Sequence, residues 1–512
     1  MRMSRRELLQ AAMAGTAVVT MPGALAGCAP KLGAISTGTD SAAFLSWFGV
    51  DEAGLGGVLG ALAVNGADTA DLYFQHSRAV SITLEDGVVS AASTNIDQGV
   101  GLRTVVGDQT GYAFTEDLSV DAMRTAAGIA ASIAKGGRGV APVAFHTPAA
   151  PADRYMLTVP WAEVGLPQRL ERMQHLAGLA KALDPAVEKV QVSWTDEEQR
   201  ILIVDLAGNL HVDLRPMSRV WCMVTARRNG VVQSNSANLA GRRGIDHYTD
   251  DRLAELAKQA VDRTLVLFDA RRPPAGEMPV VLAAGASGIL LHEAVGHGME
   301  ADFNRKNTSI YAEMIGREVA PPFVTIVDDG TCTSERGALN VDDEGNPAQR
   351  TVLVEKGILT SYMHDSISAR HYKVAPTGSG RRESFRHVPL PRMRCTYMED
   401  GPHTRDEIVA AVKNGIIAET FTNGQVQIGA GDYTFYIKNG WLVEGGKITA
   451  PIKDCNIIGN GPEALRNVTM AANDGKLDTG GWTCGKDGQS VPVSQGLPTV
   501  LVSRMTVGGV NG

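Results

Sequence analysis

Two histidines five positions apart constrain the local backbone of this chain more than any other feature. They lie in residues 291–298, LHEAVGHG, where Glu293 directly follows His292 and His297 comes near the end. At about 100° per residue, a regular α-helix would place the second imidazole roughly 140° around the axis from the first. A π-type turn brings residues i and i+5 together, and Gly296 readily tolerates such a distortion. If both rings serve one site, the spacing predicts a π-type turn.

The same segment carries the side chains needed for a metal-activated water. Neutral imidazole is a good zinc ligand, and a Glu beside the first His can take a proton from water, as in zinc peptidases. The preceding residues 280–291 are apolar and small, which predicts a buried helix that follows a strand. A His-Glu-His triple also arises by chance on surface helices, so a metal site requires a third ligand.

The six cysteines supply candidates for that ligand. None forms a C-x-x-C pair, which argues against a structural zinc site built from cysteines. Cys484 is the best placed, because it lies in a glycine-rich loop, residues 480–490, where Lys486 would favour a thiolate. Apart from Cys484 and Cys28, we expect the cysteines to be small buried apolar groups.

Four separated motifs resemble those of the TldD/PmbA family of metallopeptidases, specifically its metal-bearing TldD branch. In chain order they are HEAVGHGMEADFNR at 292–305, GRRESFRH at 380–387, IGNGPE at 458–463, and the Cys484 loop closing with QSVPV at 489–493. The likeness covers nearly everything after about residue 45. Four motifs in order are far more specific than the His-Glu-His triple alone.

The resemblance implies one zinc ion per chain, held by His292, His297 and Cys484. It implies Glu293 as general base in a peptidase that hydrolyses unfolded or extended polypeptides with a metal-activated water. It also implies a homodimer, or a heterodimer with a metal-free TldE/PmbA-like paralogue. The alternative is a maturation or escort factor for one dedicated exported peptide or protein, acting with a partner subunit.

Polar residues near these motifs are candidates for substrate binding. Arg386 and His387 belong to a basic cluster at 381–394 that could contact substrate carbonyls or an oxyanion, or could equally pair with acidic neighbours. Asn304 and Arg305 follow the metal motif, and would brace the site or grip a peptide backbone. An extended peptide could be held by pairing with an open sheet edge.

The first 28 residues predict export by the twin-arginine route. SRRELLQ at 4–10 resembles the export motif, and the uncharged residues 11–27 are too short for a comfortable membrane span. They lead into LAGC, which resembles a lipobox with Cys28 as the lipidated residue. The alternatives are an ordinary signal cut after Ala24 or Ala26, or an uncleaved anchor. We expect a periplasmic lipoprotein that folds before export, and therefore few or no disulfides.

The formal net charge limits the classes of partner. The chain carries a charge of −8 at pH 7. Nucleic-acid binding normally needs a basic face, so we expect no nucleic-acid partner. The expected partner is a polypeptide substrate, with membrane contact only through a lipid anchor.

The length of 512 residues exceeds one typical domain, and the prolines at 273–274 mark the clearest boundary. We predict an α+β fold in which an N-terminal α+β region precedes a strand-rich catalytic domain. The predicted division is a signal peptide 1–27, a linker 28–60, an N-terminal α+β domain 61–150, a middle α+β domain 151–272 and a metallopeptidase domain 273–512.

Periodicity predicts the elements inside these regions. Residues 37–59 are predicted to run from the linker into a first helix, and further helices are predicted at 121–135, 166–183 and 252–267. Strands are predicted within 70–111, 190–228, 324–328, 352–354 and 425–427, with turns at Asp86-Gly87, at 196–197 and at 207–209, and an irregular connection at 140–153.

Overall fold

Long antiparallel strands build the N-terminal half of the protein. The computed structural model describes residues 40–136, 143–149, 151–155 and 157–509, so the predicted leader and Cys28 lie outside the described residues. Six strands form one sheet in the order β3-β2-β1-β4-β5-β6. They are β1 Thr69–Glu85, β2 Val88–Val106, β3 Gln109–Thr115, β4 Val187–Asp205, β5 Leu210–Arg228 and β6 Val231–Gly241. The predicted turn between β1 and β2 is confirmed, because Asp86 and Gly87 have the positive φ values that a tight hairpin requires.

Helices cover one face of this sheet and leave the other face largely polar. They are α1 Ser41–Phe48, α2 Glu52–Ala63, α3 Val120–Ile133, α4 Leu166–Ala182 and α5 Asp250–Leu265. Even-numbered residues of β1, such as Leu72 and Ile82, pack in the cores under these helices. Odd-numbered residues, such as Gln75, face the opposite way because side chains alternate along a strand. No helix in the described ranges is both long and apolar enough to cross a membrane.

Most element predictions for this half are confirmed, with two corrections. The helices predicted at 121–135, 166–183 and 252–267 correspond to α3, α4 and α5, with ends that differ by at most two residues. The turn predicted at 196–197 is wrong, because Asp196 lies inside β4 and forms a buried ion pair with Arg169 at 2.6 Å. The first helix predicted at the end of the linker is confirmed by α2, but the linker prediction is wrong at Ser41–Phe48, which form α1. Burial of residues such as Leu55 outweighs the low helix propensity of the glycines in α2.

The sheet crosses one of the predicted domain boundaries. β1 to β3 come from residues 61–150 and β4 to β6 from residues 151–272, and β1 pairs with β4 along its length. The described residues form one compact unit. This arrangement does not test the predicted domain boundaries, which stay predictions.

The C-terminal half is rich in strands, as predicted. Its strands are β7 Gly276–Leu282, β8 Ile326–Asp329, β9 Arg350–Glu355, β10 Ile358–Leu359, β11 Gly380–Arg381, β12 Leu390–Pro391, β13 Cys395–Met398, β14 Asn414–Gln427, β15 Asp432–Glu444, β16 Lys447–Ile452, β17 Cys455–Asn460, β18 Val468–Ala471, β19 Lys476–Leu477, β20 Thr483–Lys486, β21 Gln489–Pro492, β22 Ser494–Leu497 and β23 Val500–Gly509. Its α-helices are short: α6 Ala301–Arg305, α7 Ser366–Tyr372, α8 Arg405–Ala411 and α9 Gly461–Arg466.

Two larger sheets enclose the C-terminal core. One runs β14-β7-β23-β17-β15-β16, and a further pairing between β14 and β15 closes it into a barrel. The other runs β10-β9-β8-β13-β22-β19. The core contains Leu291, Ala294 and Val295, which anchor the segment that carries the two histidines.

Candidate metal centre

The segment Leu291–Gly296 forms a π-helix, as the five-residue histidine spacing predicts. The backbone N–H of His297 donates to the carbonyl of His292, which is an i to i+5 hydrogen bond. The imidazole rings meet with their centroids 5.1 Å apart and their planes at 84°. A regular α-helix would have separated these two rings.

Gly296 serves this turn by its small size and not by its conformational freedom. Its φ of −60° is ordinary for a helix. A Cβ at this position would lie 2.0 Å from Sδ of Met393. Gly461 has a similar role on another side, because a Cβ there would lie 2.0 Å from the carbonyl oxygen of Ala294. The IGNGPE motif thus lets the backbone approach the π-helix closely.

We expect Gly296→Ala to lower the free energy of unfolding by about 1–3 kcal/mol, because the added methyl overpacks against Met393. The measurement is the urea unfolding midpoint. The control is Gly60→Ala in α2, where a Cβ would meet nothing within 4 Å. That change should be neutral or stabilising. Wild-type stability of Gly296→Ala would show that the contact with Met393 is easily relieved.

Cys484 reaches the two histidines from a hairpin and not from the predicted glycine-rich loop. β20 and β21 form this hairpin, and the turn at Asp487-Gly488 has positive φ at both residues. Sγ of Cys484 lies 3.5 Å from Nε2 of His297. One possible ligand atom from each of His292, His297 and Cys484 lies within 4.8 Å of the others, and all three side chains are buried. The described ranges contain no other such group of three or more His, Cys, Asp or Glu side chains.

The histidines favour the thiolate form of Cys484. Burial raises the pKa of this thiol, but His292 and His297 outweigh burial and hold the pKa well below its ordinary value. The prediction that Lys486 plays this part is wrong. Its ammonium instead lies 2.7 Å from Asp302 and 3.1 Å from Glu300, because the hairpin aims it at those carboxylates.

The donor set fits a zinc ion. Imidazole nitrogen and thiolate sulfur are preferred zinc ligands, and three protein ligands leave a position for water, as in catalytic sites. Nδ1 of His292 is buried and has no hydrogen-bond partner among the described residues. A buried polar nitrogen left unsatisfied is costly, so this atom also points to a bound group.

Glu300 orients one of the histidines, and the sequence analysis did not single it out. Its Oε2 accepts from Nδ1 of His297 at 3.0 Å, which leaves Nε2 facing the thiol. Burial raises the pKa of Glu300, but Lys486 and His297 outweigh burial and lower the pKa to about 2. Glu300 lies three residues after His297 inside the first motif, which is the signal that could have identified it. Nη2 of Arg392, which directly follows β12, donates to the Cys484 carbonyl at 2.6 Å.

We expect Glu300→Gln to weaken zinc binding by about 10- to 100-fold, because the orienting carboxylate is lost. Competition with a chelator measures the affinity. Asp302→Asn is the matched control, since Asp302 also contacts Lys486 but makes no hydrogen bond to His297. Equal weakening in both variants would assign the effect to Lys486 and not to the histidine.

Glu293 lies in the same π-helix as His292. Its side chain is partly exposed. It makes no hydrogen bond or ion pair with any residue that the structure describes. The Glu293 carboxylate therefore makes no polar contact with the described residues that would stabilise the fold.

The structure gives partners to the four predicted substrate-binding residues. Asn304 donates to the carbonyls of Gly298 and Glu300, both at 2.9 Å, so it braces the loop after the histidines. Arg305 pairs with Asp108 at 3.1 Å. Arg386 pairs with Asp97 and Glu116, and His387 lies 3.0 Å from the hydroxyl of Ser384. Their roles toward substrate stay predictions.

Most of the basic cluster at 381–394 is buried. Arg394 pairs with Asp328 at 2.7 Å, and Arg382 pairs with Asp71 at 3.4 Å. These guanidinium groups join distant parts of the chain. Sequence reasoning left open whether they contact substrate or acidic neighbours, and for these two arginines the structure shows acidic neighbours.

Three family models match successive parts of the chain. The model for PmbA/TldA metallopeptidase domain 1 matches residues 70–134, the central domain matches 159–268, and the C-terminal domain matches 275–509. The metalloprotease TldD homolog of Haemophilus influenzae is 42% identical over 451 residues, covering 87% of this chain and 93% of that protein. The chain belongs to the PmbA/TldD metallopeptidase family. The predicted family is thereby confirmed, and the chain is a metalloprotease of that family.

A further similar protein and two solved structures extend the likeness. The zinc metalloprotease TldD homolog of Saccharolobus solfataricus is 29% identical over 355 residues, 67% of this chain and 76% of that protein. The crystal structure of TldE from Thermococcus kodakarensis has a TM-score of 0.70 at 17% identity, over 89% of this chain and all of that one. A Thermotoga maritima structure gives a TM-score of 0.71 at 20% identity, over 86% and 96%. The predicted α+β fold class is confirmed.

Proposed function

We propose that this family member is a zinc peptidase that hydrolyses unfolded or extended polypeptides. The observation that carries the proposal is the convergence of His292, His297 and Cys484 beside Glu293. The name of the Saccharolobus solfataricus relative specifies zinc, and the donor set suits that ion.

His292, His297 and Cys484 would hold the ion, and Glu293 would act as general base. A bound zinc ion supplies Lewis acidity, which lowers the pKa of water and polarises a peptide carbonyl. Glu293 takes a proton from the attacking water and returns it to the leaving amine. Glu300 keeps the His297 ring in place during these steps.

The hairpin β20–β21 supports a preference for extended substrates. It is a two-stranded sheet that carries Cys484. A peptide that adds to a sheet edge is held by main-chain hydrogen bonds, which only an extended segment can offer. A folded protein has already used those backbone groups.

Zinc content and cleavage of a matched substrate pair test the proposal. The substrate is one disulfide-containing protein, supplied native and as its reduced, alkylated, unfolded form. We expect one zinc per chain and cleavage of the unfolded form only. Absence of bound metal would contradict the ligand assignment, and equally fast cleavage of the native form would contradict the preference for unfolded chains.

We also propose that the chain is exported by the twin-arginine route, lipidated at Cys28 in the periplasm, and dimeric with itself or with a metal-free paralogue. The export motif and LAGC support the first two parts. The fold shared with TldE supports a paralogous partner. Palmitate labelling that is lost in Cys28→Ala, and light scattering with and without the paralogue, are the corresponding measurements.

A further inference from the structure

The polar face of the N-terminal sheet lines a cavity of about 460 Å³. Its floor includes Gln75 on β1 and residues of β4 and β5. One wall is the hairpin β20–β21, through Thr483, Ser490 and Pro492. These three residues lie on the face of the hairpin opposite to Cys484, because side chains alternate along a strand. Thr483 and Ser490 are exposed, so solvent reaches the cavity.

Three guanidinium groups in this cavity have no acidic partner. Arg242, Arg336 and Arg381 are only 3%, 8% and 3% exposed, yet none forms an ion pair with a carboxylate of the described residues. Nε of Arg242 is buried without a hydrogen-bond partner there. The side-chain hydrogen bonds of the three go only to uncharged backbone carbonyls, those of Pro216, Trp482, Met393 and Pro492.

The other charged groups of the cavity are already engaged. The remaining arginines are ion-paired: Arg215 with Asp343, Arg382 with Asp71, and Arg386 with Asp97. Two further acids line the cavity. Glu197 accepts hydrogen bonds from Ser77 and Gln199, and Glu383 accepts one from the backbone N–H of Ser490. The cavity therefore keeps an excess of positive charge.

Burial without an ion-pair partner destabilises the charged form of these arginines. Burial and repulsion from Arg219 and Arg242 lower the pKa of Arg336 to about 10. Burial and repulsion from other arginines, Arg242 foremost, outweigh the attraction of Asp343 and lower the pKa of Arg381 to about 9. Both groups are still charged at neutral pH. A buried charge without a counter-ion is destabilising, so a bound anion would stabilise these residues.

We propose that this cavity binds a carboxylate of the peptide substrate through Arg242, Arg336 and Arg381. The inference rests on the proposed peptidase function and assigns to it a substrate class, peptides that carry a carboxylate beyond the scissile segment. Guanidinium binds carboxylate in bidentate pairs, and three such groups converge here. The volume lies in the range of ordinary ligand pockets, which leaves room for a short peptide segment.

Three fluorescent peptides of one sequence test the carboxylate. The first has an internal Glu and a free C-terminus, the second is its C-terminal amide, and the third replaces the Glu by Gln. Binding is measured by anisotropy on the Glu293→Gln protein, so that no peptide is consumed. We expect loss of the recognised carboxylate to weaken binding by about 10- to 100-fold.

The pattern of weakening among the three peptides identifies which carboxylate of the peptide is bound. Weakening by amidation alone assigns the C-terminal carboxylate, and weakening by the Gln replacement alone assigns an acidic side chain. Equal binding of all three peptides, or binding of none, overturns the inference.

Arg336→Gln tests the residues. It should reduce the preference for the acidic peptide by about tenfold or more. It should also raise the unfolding temperature or leave it unchanged, because an unpaired buried charge is removed. Arg242→Gln is a second variant of the same kind. Arg227→Gln is the matched control, since Arg227 is exposed on β5, does not line the cavity and is paired with Glu188. Unchanged preference in well-folded Arg336→Gln and Arg242→Gln proteins overturns the inference.

The two proposals fail in different ways. Wild-type protein that cuts no peptide would contradict the peptidase function, even if the acidic peptide binds more tightly than its amide. Cleavage of all three peptides with the same KM, together with equal binding, would contradict only the carboxylate site.

Discussion

Glu293→Gln is expected to lower kcat/KM on an unfolded protein by about 10²- to 10⁴-fold, the usual contribution of general acid–base catalysis. The amide has nearly the shape of the carboxylate but cannot accept a proton from water. Glu293 is partly exposed and makes no hydrogen bond or ion pair within the described ranges, so its replacement should disturb neither the fold nor the ligands. Initial rates and zinc content are measured on the same preparation.

Glu355→Gln is the matched control for this experiment. Glu355 is exposed on β9 and lies outside the candidate centre, so its replacement should leave the rate unchanged. If Glu293→Gln keeps full zinc and nearly full activity, the base is another group. If it loses zinc together with activity, Glu293 contributes to metal binding as well.

Cys484→Ser should weaken zinc binding by more than about 100-fold, because even changes outside the ligand set cost 10- to 100-fold. A neutral serine hydroxyl is a far poorer zinc ligand than a thiolate. The structure places this sulfur against both histidines in a buried site, where no solvent-exposed side chain can easily replace it. Zinc content after dialysis against a chelator is the direct measurement.

Thermal unfolding provides a second readout for Cys484→Ser. Zinc at 1,000 times its Kd should stabilise the wild type by about 4 kcal/mol, whereas a variant weakened by about 100-fold or more should gain no more than about 1.4 kcal/mol at the same concentration. Cys332→Ser is the control, since Cys332 is a half-buried free cysteine outside the cluster of three. Wild-type zinc affinity in Cys484→Ser would show that the third ligand lies elsewhere.

The predictions that the structure confirms depend mainly on short-range geometry. The histidine spacing predicted the π-helix, because a five-residue interval is incompatible with one face of a regular helix. The Asp86-Gly87 pair led to the β1–β2 hairpin, because those residue types adopt positive φ. The errors at Ser41–Phe48 and Asp196 arose where burial outweighs local preference.

The sequence by itself determined that His292 and His297 meet on a distorted turn, because both belong to one short segment. Only the tertiary structure decided what surrounds them. Cys484 meets His297 across 187 residues of sequence, and Arg382 meets Asp71 across 311. The tertiary structure also decided that Arg336 lacks an acidic partner. Such contacts depend on how separate sheets pack together, and residue types and intervals along one strand or helix do not specify that packing.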